Sequence, residues 1–255
     1  EESENPEVTS EDSSEKTEIS IGVNPLREPI IEAATPLLEE LGYEVELVVI
    51  ADPIQLNEAV EEKTVDINFQ QHEDYMNQFN ENRSGHLVKV GDKLYTQLVG
   101  LFSQEYSSID ELQDGDQITI QNDPTNQDRA LKLLEDEGLL TLDSEASEPY
   151  TVLDIEENPL NLSFDEVSGE ILVQSFQDTA AGVFNGMNIV KAEQHAEDAL
   201  ATYTRDDKDR YALILATHED NAESQWTKSV YEVFQSQEVQ DAVEEVSNGT
   251  WQPIF

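Results

Sequence analysis

Arg129 is the residue whose chemistry is hardest to explain as packing. It falls in the first turn of an expected helix, where a cation opposes the helix dipole, so its guanidinium needs another reason to be there. A planar fork of this kind can hold a carboxylate through two hydrogen bonds. Two readings stay open: Arg129 reaches out of the preceding turn to the carboxylate of a ligand, or it is a surface arginine paired with Asp128 or Glu135.

Other chemistry-bearing residues are weaker signals. His72-Glu73-Asp74 and His218-Glu219-Asp220 hold metal-ligating residue types. Adjacent helical residues point in different directions, so each triplet offers a shared ion only one or two donors, fewer than a built site needs. No metal or cofactor is expected. The chain has 57 acidic residues, so neighbouring carboxylates say nothing about acid–base catalysis. It contains no Gly-x-Ser-x-Gly elbow, phosphate loop or dinucleotide glycine pattern, which ranks an enzyme below a binding protein. A purely structural or adhesive surface protein would explain the charge but not Arg129.

The elements that must position Arg129 form a strand, a turn and a helix over Gln117–Leu134. Gln117–Ile120 alternates polar and apolar residues as a half-buried strand does. Asn122-Asp123-Pro124 is a turn signal, with Thr125 or Asn126 to cap the helix striped by Ala130, Leu131, Leu133 and Leu134. Upstream, strands are expected at Ile19–Val23, Glu44–Ile50 and Asp66–Phe69. Between them lie a helix carrying Ile30, Ile31, Ala34, Leu37, Leu38 and Leu41, and a second helix opening at Pro53. This alternation argues for a parallel sheet with helices on its faces. Further strands are expected at Leu87–Val90, Leu94–Phe102, Tyr150–Ile155, Ala181–Phe184 and Tyr211–Ala216. Two striped helices end the chain, and Trp226 and Trp251 read as core or lobe-packing residues. Two lobes of about 100 residues fit the length and the element count.

Charge bounds the environment. Against its 57 acids the 255-residue chain has 13 basic residues, a net charge of −44, which would repel nucleic acid and anionic membrane surfaces alike. Self-repulsion on this scale is tolerable where salt screens it, the Debye length falling to about 3 Å at 1 M. The balance implies a salt-rich or otherwise extreme external medium. There is no cysteine, and no apolar run nears the roughly 18 residues of a membrane span. Residues 1–18 are polar and acidic and read as a disordered tether.

Several blocks in order resemble a known family. They are Phe69-Gln-Gln-His72-Glu-Asp-Tyr75, Val99-Gly-Leu-Phe-Ser103, Asn122-Asp-Pro-Thr-Asn126-x-x-Arg129, Val152-Leu-Asp-Ile-Glu-Glu-Asn-Pro159 and Gly182-Val-Phe-Asn-Gly186. Together they are similar to the NlpA/MetQ-type substrate-binding lipoproteins, the solute receptors of methionine-uptake ABC transporters. The resemblance implies a two-lobed α/β periplasmic-binding-protein fold, type II-like, each lobe a mixed or parallel sheet flanked by helices, with the ligand in the cleft between. It implies lobe 1 from 19–102 with 206–255, and lobe 2 from 103–205. It also implies a monomer outside the cytoplasm, at the cell surface or in a periplasm, tethered through a lipidated cysteine preceding Glu1 and delivering solute to an ABC permease.

The same resemblance implies roles for particular residues. Arg129 would hold the ligand carboxylate and Asn126 would order the loop around it. His72 and Tyr75 would line the opposite wall, with Phe69, Gln70, Asn185, Met187 and Tyr211 completing the pocket. Three positions depart from the family pattern. Gln70 stands where the family has an aromatic ring, Met187 where it has an asparagine, and Leu213 where an asparagine meets the ligand's polar end. Swaps of this type change which ligand a site accepts, so a different small carboxylate is the alternative to methionine.

Overall fold

A computed structural model describes residues 16–255, so the expected tether lies largely outside the described residues. The chain opens with β1 (Glu18–Val23), α1 (Glu28–Glu40), β2 (Glu44–Val49), α2 (Pro53–Glu61), β3 (Ile67–His72), α3 (Glu73–Arg83) and β4 (Leu87–Gln97). Next come β5 (Val99–Phe102), β6 (Gln117–Gln121), α4 (Pro124–Asp136), β7 (Thr141–Leu142), β8 (Ile155–Glu157) and β9 (Ser163–Val167). Then follow α5 (Leu172–Phe176), β10 (Ala181–Asn185), α6 (Met187–Lys191) and β11 (Ala201–Thr202). The chain closes with β12 (Leu213–His218), α7 (Gln225–Val233), α8 (Gln237–Ser247) and β13 (Trp251–Pro253).

Two large sheets organise these elements, and β7 and β8 form a separate antiparallel pair. The first has strand order β13-β4-β12-β3-β1-β2, the second β11-β5-β10-β6-β9. Strands β1, β2 and β3 are parallel, as helical crossovers require, whereas β12 runs antiparallel to both β3 and β4. In the second sheet β6 is parallel to β9 and β10, and β5 is antiparallel to β10. Both sheets are therefore mixed. Ile19, Ile21, Phe69, Tyr95, Val230, Phe234 and Val243 are buried between the first sheet and α1, α7 and α8, together with Trp226 and Trp251. Leu101, Ile118, Ile120, Leu131, Leu134 and Val183 form the corresponding core of the second half.

The chain crosses between the sheets twice, at Leu98 and again between Thr202 and Leu213. The first crossing departs from expectation. The resemblance places Val99–Phe102 in the first lobe, but β5 pairs with β10 and β11 in the second sheet. Leu94–Phe102 reads as one β-rich run, and nothing local marks the change of sheet. What ends β4 is tertiary: the Leu98 N–H donates to the Thr250 carbonyl at 2.8 Å while its own carbonyl accepts from Gly186.

Three smaller differences have local causes. The two runs at Leu87–Val90 and Leu94–Phe102 are joined in β4 across a bulge at Gly91, where pairing with β12 slips between Leu213 and Leu215. Gly91 holds φ +65, and a Cβ there would stand 2.4 Å from the Tyr231 ring, so both conformation and space demand glycine. The expected strand Tyr150–Ile155 is instead a single 3-10 turn, Val152–Asp154, held by Thr151 and Asp154, with β8 starting at Ile155. Strand β9 and the short helices α5 and α6 carry too few residues for a periodic signal to reveal them.

Candidate ligand cleft between the two sheets

The turn before Arg129 folds as its residue types dictate, with the helix start at least two positions earlier than expected. Asp123, not Thr125 or Asn126, is the N-cap of α4: its Oδ1 accepts the Asn126 N–H at 3.0 Å, and Pro124 occupies the first helical position. Arg129 therefore lies in the second turn of α4, where the dipole acts weakly. It is 6% exposed. Both surface partners offered by the sequence are engaged elsewhere, Asp128 with Lys132 at 2.8 Å and Glu135 with Arg205 at 2.9 Å. Its Nε is buried without an acceptor, and its guanidinium sits 5.2 Å from the rings of both Tyr203 and Tyr211. Burial pushes its pKa down, with Tyr203 and Asp207 opposing that shift. The surface ion-pair reading is thereby set aside.

Arg129 faces a cleft of about 840 Å³ lined from both halves of the molecule. From the first half come Gln70, His72, Tyr75, Tyr211 and Leu213, and from the second Asn126, Arg129 and Asn185. His72 ends β3 and caps α3, its Nδ1 accepting the Tyr75 N–H at 3.1 Å. With Nδ1 an acceptor, the ring proton belongs on Nε2. Burial lowers the pKa of His72, so the ring is neutral at neutral pH, and Tyr211 packs edge-on to it at 4.9 Å. On the other wall Asn185 Nδ2 donates to Asn126 Oδ1 at 2.6 Å, and Gln121 Nε2 donates to Asn185 Oδ1 at 3.0 Å. These amides hold one another in place and leave Arg129 as the charged group of that wall.

Two expected cleft residues lie elsewhere. Phe69 is fully buried in the first core, edge-on to Phe234 at 5.1 Å and Tyr95 at 6.1 Å. Strand alternation points Phe69 and Ile67 into that core, away from the cleft. Met187 opens α6 and packs its side chain against the first core as well. Of the three departures noted in the sequence, only Gln70 and Leu213 therefore line the cleft. Gln70 is the extra residue of a bulge in β3: Phe69 pairs with Leu215 and Gln71 with Ile214, so Gln70 is skipped. A bulge re-aims side chains. Here it turns the Gln70 amide to Asn57 Oδ1 at 2.9 Å and the Pro53 carbonyl at 3.0 Å.

Sequence reasoning missed Arg27, Gln71, Gln97 and Arg210 in the lining. Arg210 pairs with Asp74 at 2.8 Å, and Gln97 donates to the Tyr211 carbonyl at 2.9 Å, tying the two inter-sheet crossings together. These contacts join residues more than a hundred positions apart, and no local pattern announces them.

Neither metal-type triplet gathers as a unit, but His218 meets residues from two other elements. Donor atoms of Glu61, His86 and His218 lie within 4.8 Å of one another. They already have protein partners: Glu61 meets His86 Nδ1 and accepts its backbone N–H, both at 2.7 Å, and His218 Nδ1 accepts from the Asp220 N–H at 3.2 Å. The hydrogen bond to Glu61 raises the pKa of His86. For Glu61, burial acts upward, but the bonds from His86 outweigh it and hold the carboxyl below its ordinary value. A raised histidine stabilises the fold below its unfolded pKa, and a depressed carboxylate stabilises it above its own. The pair is thus worth most between the ordinary values of 4.5 and 6.5, and fades as pH climbs through the raised pKa of His86. His86→Gln is expected to lower Tm in that window and to leave it unchanged near about pH 9, where the imidazole is neutral in both states. Melting curves across pH check this, and a pH-independent difference would refute it.

Comparison with known proteins agrees with this architecture. Residues 19–255 match the model of the NlpA lipoprotein family. The D-methionine-binding lipoprotein MetQ of Escherichia coli (strain K12) is 35% identical over 215 residues, covering 83% of this chain and 78% of that protein. The crystal structure of the methionine-binding protein MetQ superposes with a TM-score of 0.71 at 32% identity, covering 93% of this chain and 98% of that one. A YaeC-family lipoprotein from Enterococcus faecalis V583 superposes with a TM-score of 0.74 at 28% identity, covering 94% of this chain and all of that one. On the family match across every residue from Ile19 onward and the likeness to these relatives, the chain belongs to the NlpA lipoprotein family.

Proposed function

We propose that this protein is the extracytoplasmic solute receptor of an ABC importer and captures methionine or a related amino acid between its two sheets. One observation carries the reading. Arg129 is a buried, charged guanidinium on the wall of an inter-sheet cleft, without a carboxylate partner among the described residues. A buried charge is costly until an opposite charge meets it, so the site is built for a carboxylate brought in by solute. The relatives named for methionine make that amino acid the first ligand to test.

The mechanism needs no covalent step. The sheets join through Leu98 and the segment between Thr202 and Leu213, two short crossings that allow hinge closure. In the closed state His72, Tyr75 and Tyr211 would meet the solute from one side, and Arg129, Asn126 and Asn185 from the other. Excluding water strengthens the Arg129–carboxylate pair and favours closure only when solute is bound. Among the described residues no helix is long and apolar enough to cross a membrane. We read attachment as the lipid anchor that the lipoprotein family's description suggests, and the receiving partner as the permease.

A second reading keeps the transport role and changes the ligand. Gln70 and Leu213 in the lining favour it, since one adds an amide to the cleft and the other removes one. Calorimetry with L- and D-methionine separates the readings. Heat and saturation with either enantiomer at millimolar concentration or below support methionine. No heat with methionine, alongside binding of another amino acid, supports the alternative, and no heat with any α-amino acid would sink both.

A further inference from the structure

The cleft holds a second cation of the same kind. The chain has five arginines, at positions 27, 83, 129, 205 and 210. Arg83, Arg205 and Arg210 each pair with a carboxylate, from Glu58, from Glu135 and Asp136, and from Asp74 respectively. Arg27, like Arg129, has no carboxylate partner among the described residues, in a chain where acids outnumber bases 57 to 13. Both are 6% exposed, both line the same cleft, and both carry a buried Nε with no acceptor. They come from opposite halves, Arg27 from the turn Pro25–Arg27 between β1 and α1, and Arg129 from α4.

A purely structural role does not account for Arg27. Its guanidinium lies 4.8 Å from the Trp251 ring, a cation–π contact that offsets part of the cost of burial. That contact gives the guanidinium no oxygen or nitrogen acceptor, and its Nε remains without one. Burial alone moves its pKa, down to about 10, and no neighbouring charge opposes the shift. It remains a cation at neutral pH. An apolar side chain of similar size would fill the same space without that penalty. Among the described residues no carboxylate meets the guanidinium, which leaves its donors to what enters the cleft it lines.

We propose that Arg27 forms a second anion subsite, so that the preferred solute is an amino acid with two carboxylates, the α-carboxylate on Arg129 and the side-chain carboxylate on Arg27. This rests on the receptor reading above and adds to it the class of side chain accepted. A neutral side chain would leave the Arg27 donors unpaired in the closed cleft, and a site whose buried donors go unmet discriminates strongly against such a ligand.

The test is a calorimetric series of dicarboxylic amino acids of stepped length: aspartate, glutamate, 2-aminoadipate and 2-aminopimelate. Each is paired with its side-chain amide, and methionine is the reference. For the best-fitting length the acid is expected to bind tenfold or more tightly than its amide. Arg27→Gln should bring that ratio to about one, and Arg27→Lys, which keeps the charge but loses the fork, should retain part of it. Circular dichroism confirms that the variants are folded. Equal or weaker binding of every acid than its amide overturns the second subsite, as does an unchanged ratio in Arg27→Gln. Methionine binding without any preference for acids sinks the Arg27 proposal alone, whereas no binding by any of these amino acids overturns the receptor reading too.

Discussion

Arg129→Met is expected to weaken solute binding by about 100-fold or more while leaving the unliganded protein at least as stable as the parent. The two halves of this result have one cause. In the unliganded protein the guanidinium is buried, its Nε lacks an acceptor and burial lowers its pKa, so the folded state holds a charge that Asp207 and the rings of Tyr203 and Tyr211 compensate only in part. Methionine is similar in length, fills most of the space beside Tyr203 and Tyr211, and carries no charge to desolvate. Replacing buried ionic groups with apolar ones of similar volume is often neutral or stabilising, by about 1–4 kcal/mol. The solute, by contrast, loses its only strong partner on that wall and must bury its carboxylate unpaired, a loss of about 3–5 kcal/mol. Each 1.4 kcal/mol is a factor of ten, which sets the scale of the expected loss. Calorimetry on the variant measures the binding half and a melting curve without ligand the stability half. Retained affinity would remove Arg129 from the site. A Tm several degrees lower would show it to be a structural residue.

Phe69→Ala is expected to destabilise the fold by about 3–5 kcal/mol, the range for removing a large aromatic side chain from a core. For a chain of this size that corresponds to a fall in Tm on the order of 10 °C. The ring is fully buried and holds two aromatic neighbours, Tyr95 and Phe234, which are themselves joined by a hydrogen bond from the Tyr95 hydroxyl to the Phe234 carbonyl at 2.6 Å. Truncation leaves a cavity at the centre of this cluster that helices α1, α7 and α8 cannot close without moving as units. Chemical denaturation measures the effect. A ligand-wall residue would behave oppositely, losing affinity at unchanged stability, and that outcome would return Phe69 to the cleft.

Phe69 and Arg129 also mark how far the primary structure was legible. The strand–turn–helix unit around Arg129 was readable because its signals are local: alternation in β6, Asp123-Pro124 at the helix start, and an apolar stripe in α4. Arg129 drew notice for a first-turn position that the fold moves to the second turn, and whether it paired with a neighbour could not be read. Asp128 and Glu135 were plausible partners until the fold gave them Lys132 and Arg205. Phe69 stood among cleft residues because it adjoins Gln70 and His72 in one block. Strand pleating divides that block, sending Phe69 to the core, and the bulge at Gln70 changes the alternation one residue later. Arg27 gave no signal at all. It is an ordinary residue before a helix, and only its distant neighbour Trp251 and the walls of the cleft make it unusual.

The sequence by itself determined the longer helices and most strands, the α/β class, the acidity and the family, because each follows from short-range spacing or from ordered blocks of residues; the antiparallel strands that make both sheets mixed came from the fold. Tertiary structure alone decided where the chain changes sheet, since Leu98 is redirected by Thr250 across 152 positions of chain. It alone decided which of the five arginines lack carboxylate partners. A charge's partner is set by distance in space, and in a chain this rich in acids every arginine has a carboxylate close by in sequence. Two of them, Arg27 and Arg129, are carried by the fold away from those neighbours and onto the walls of one cleft.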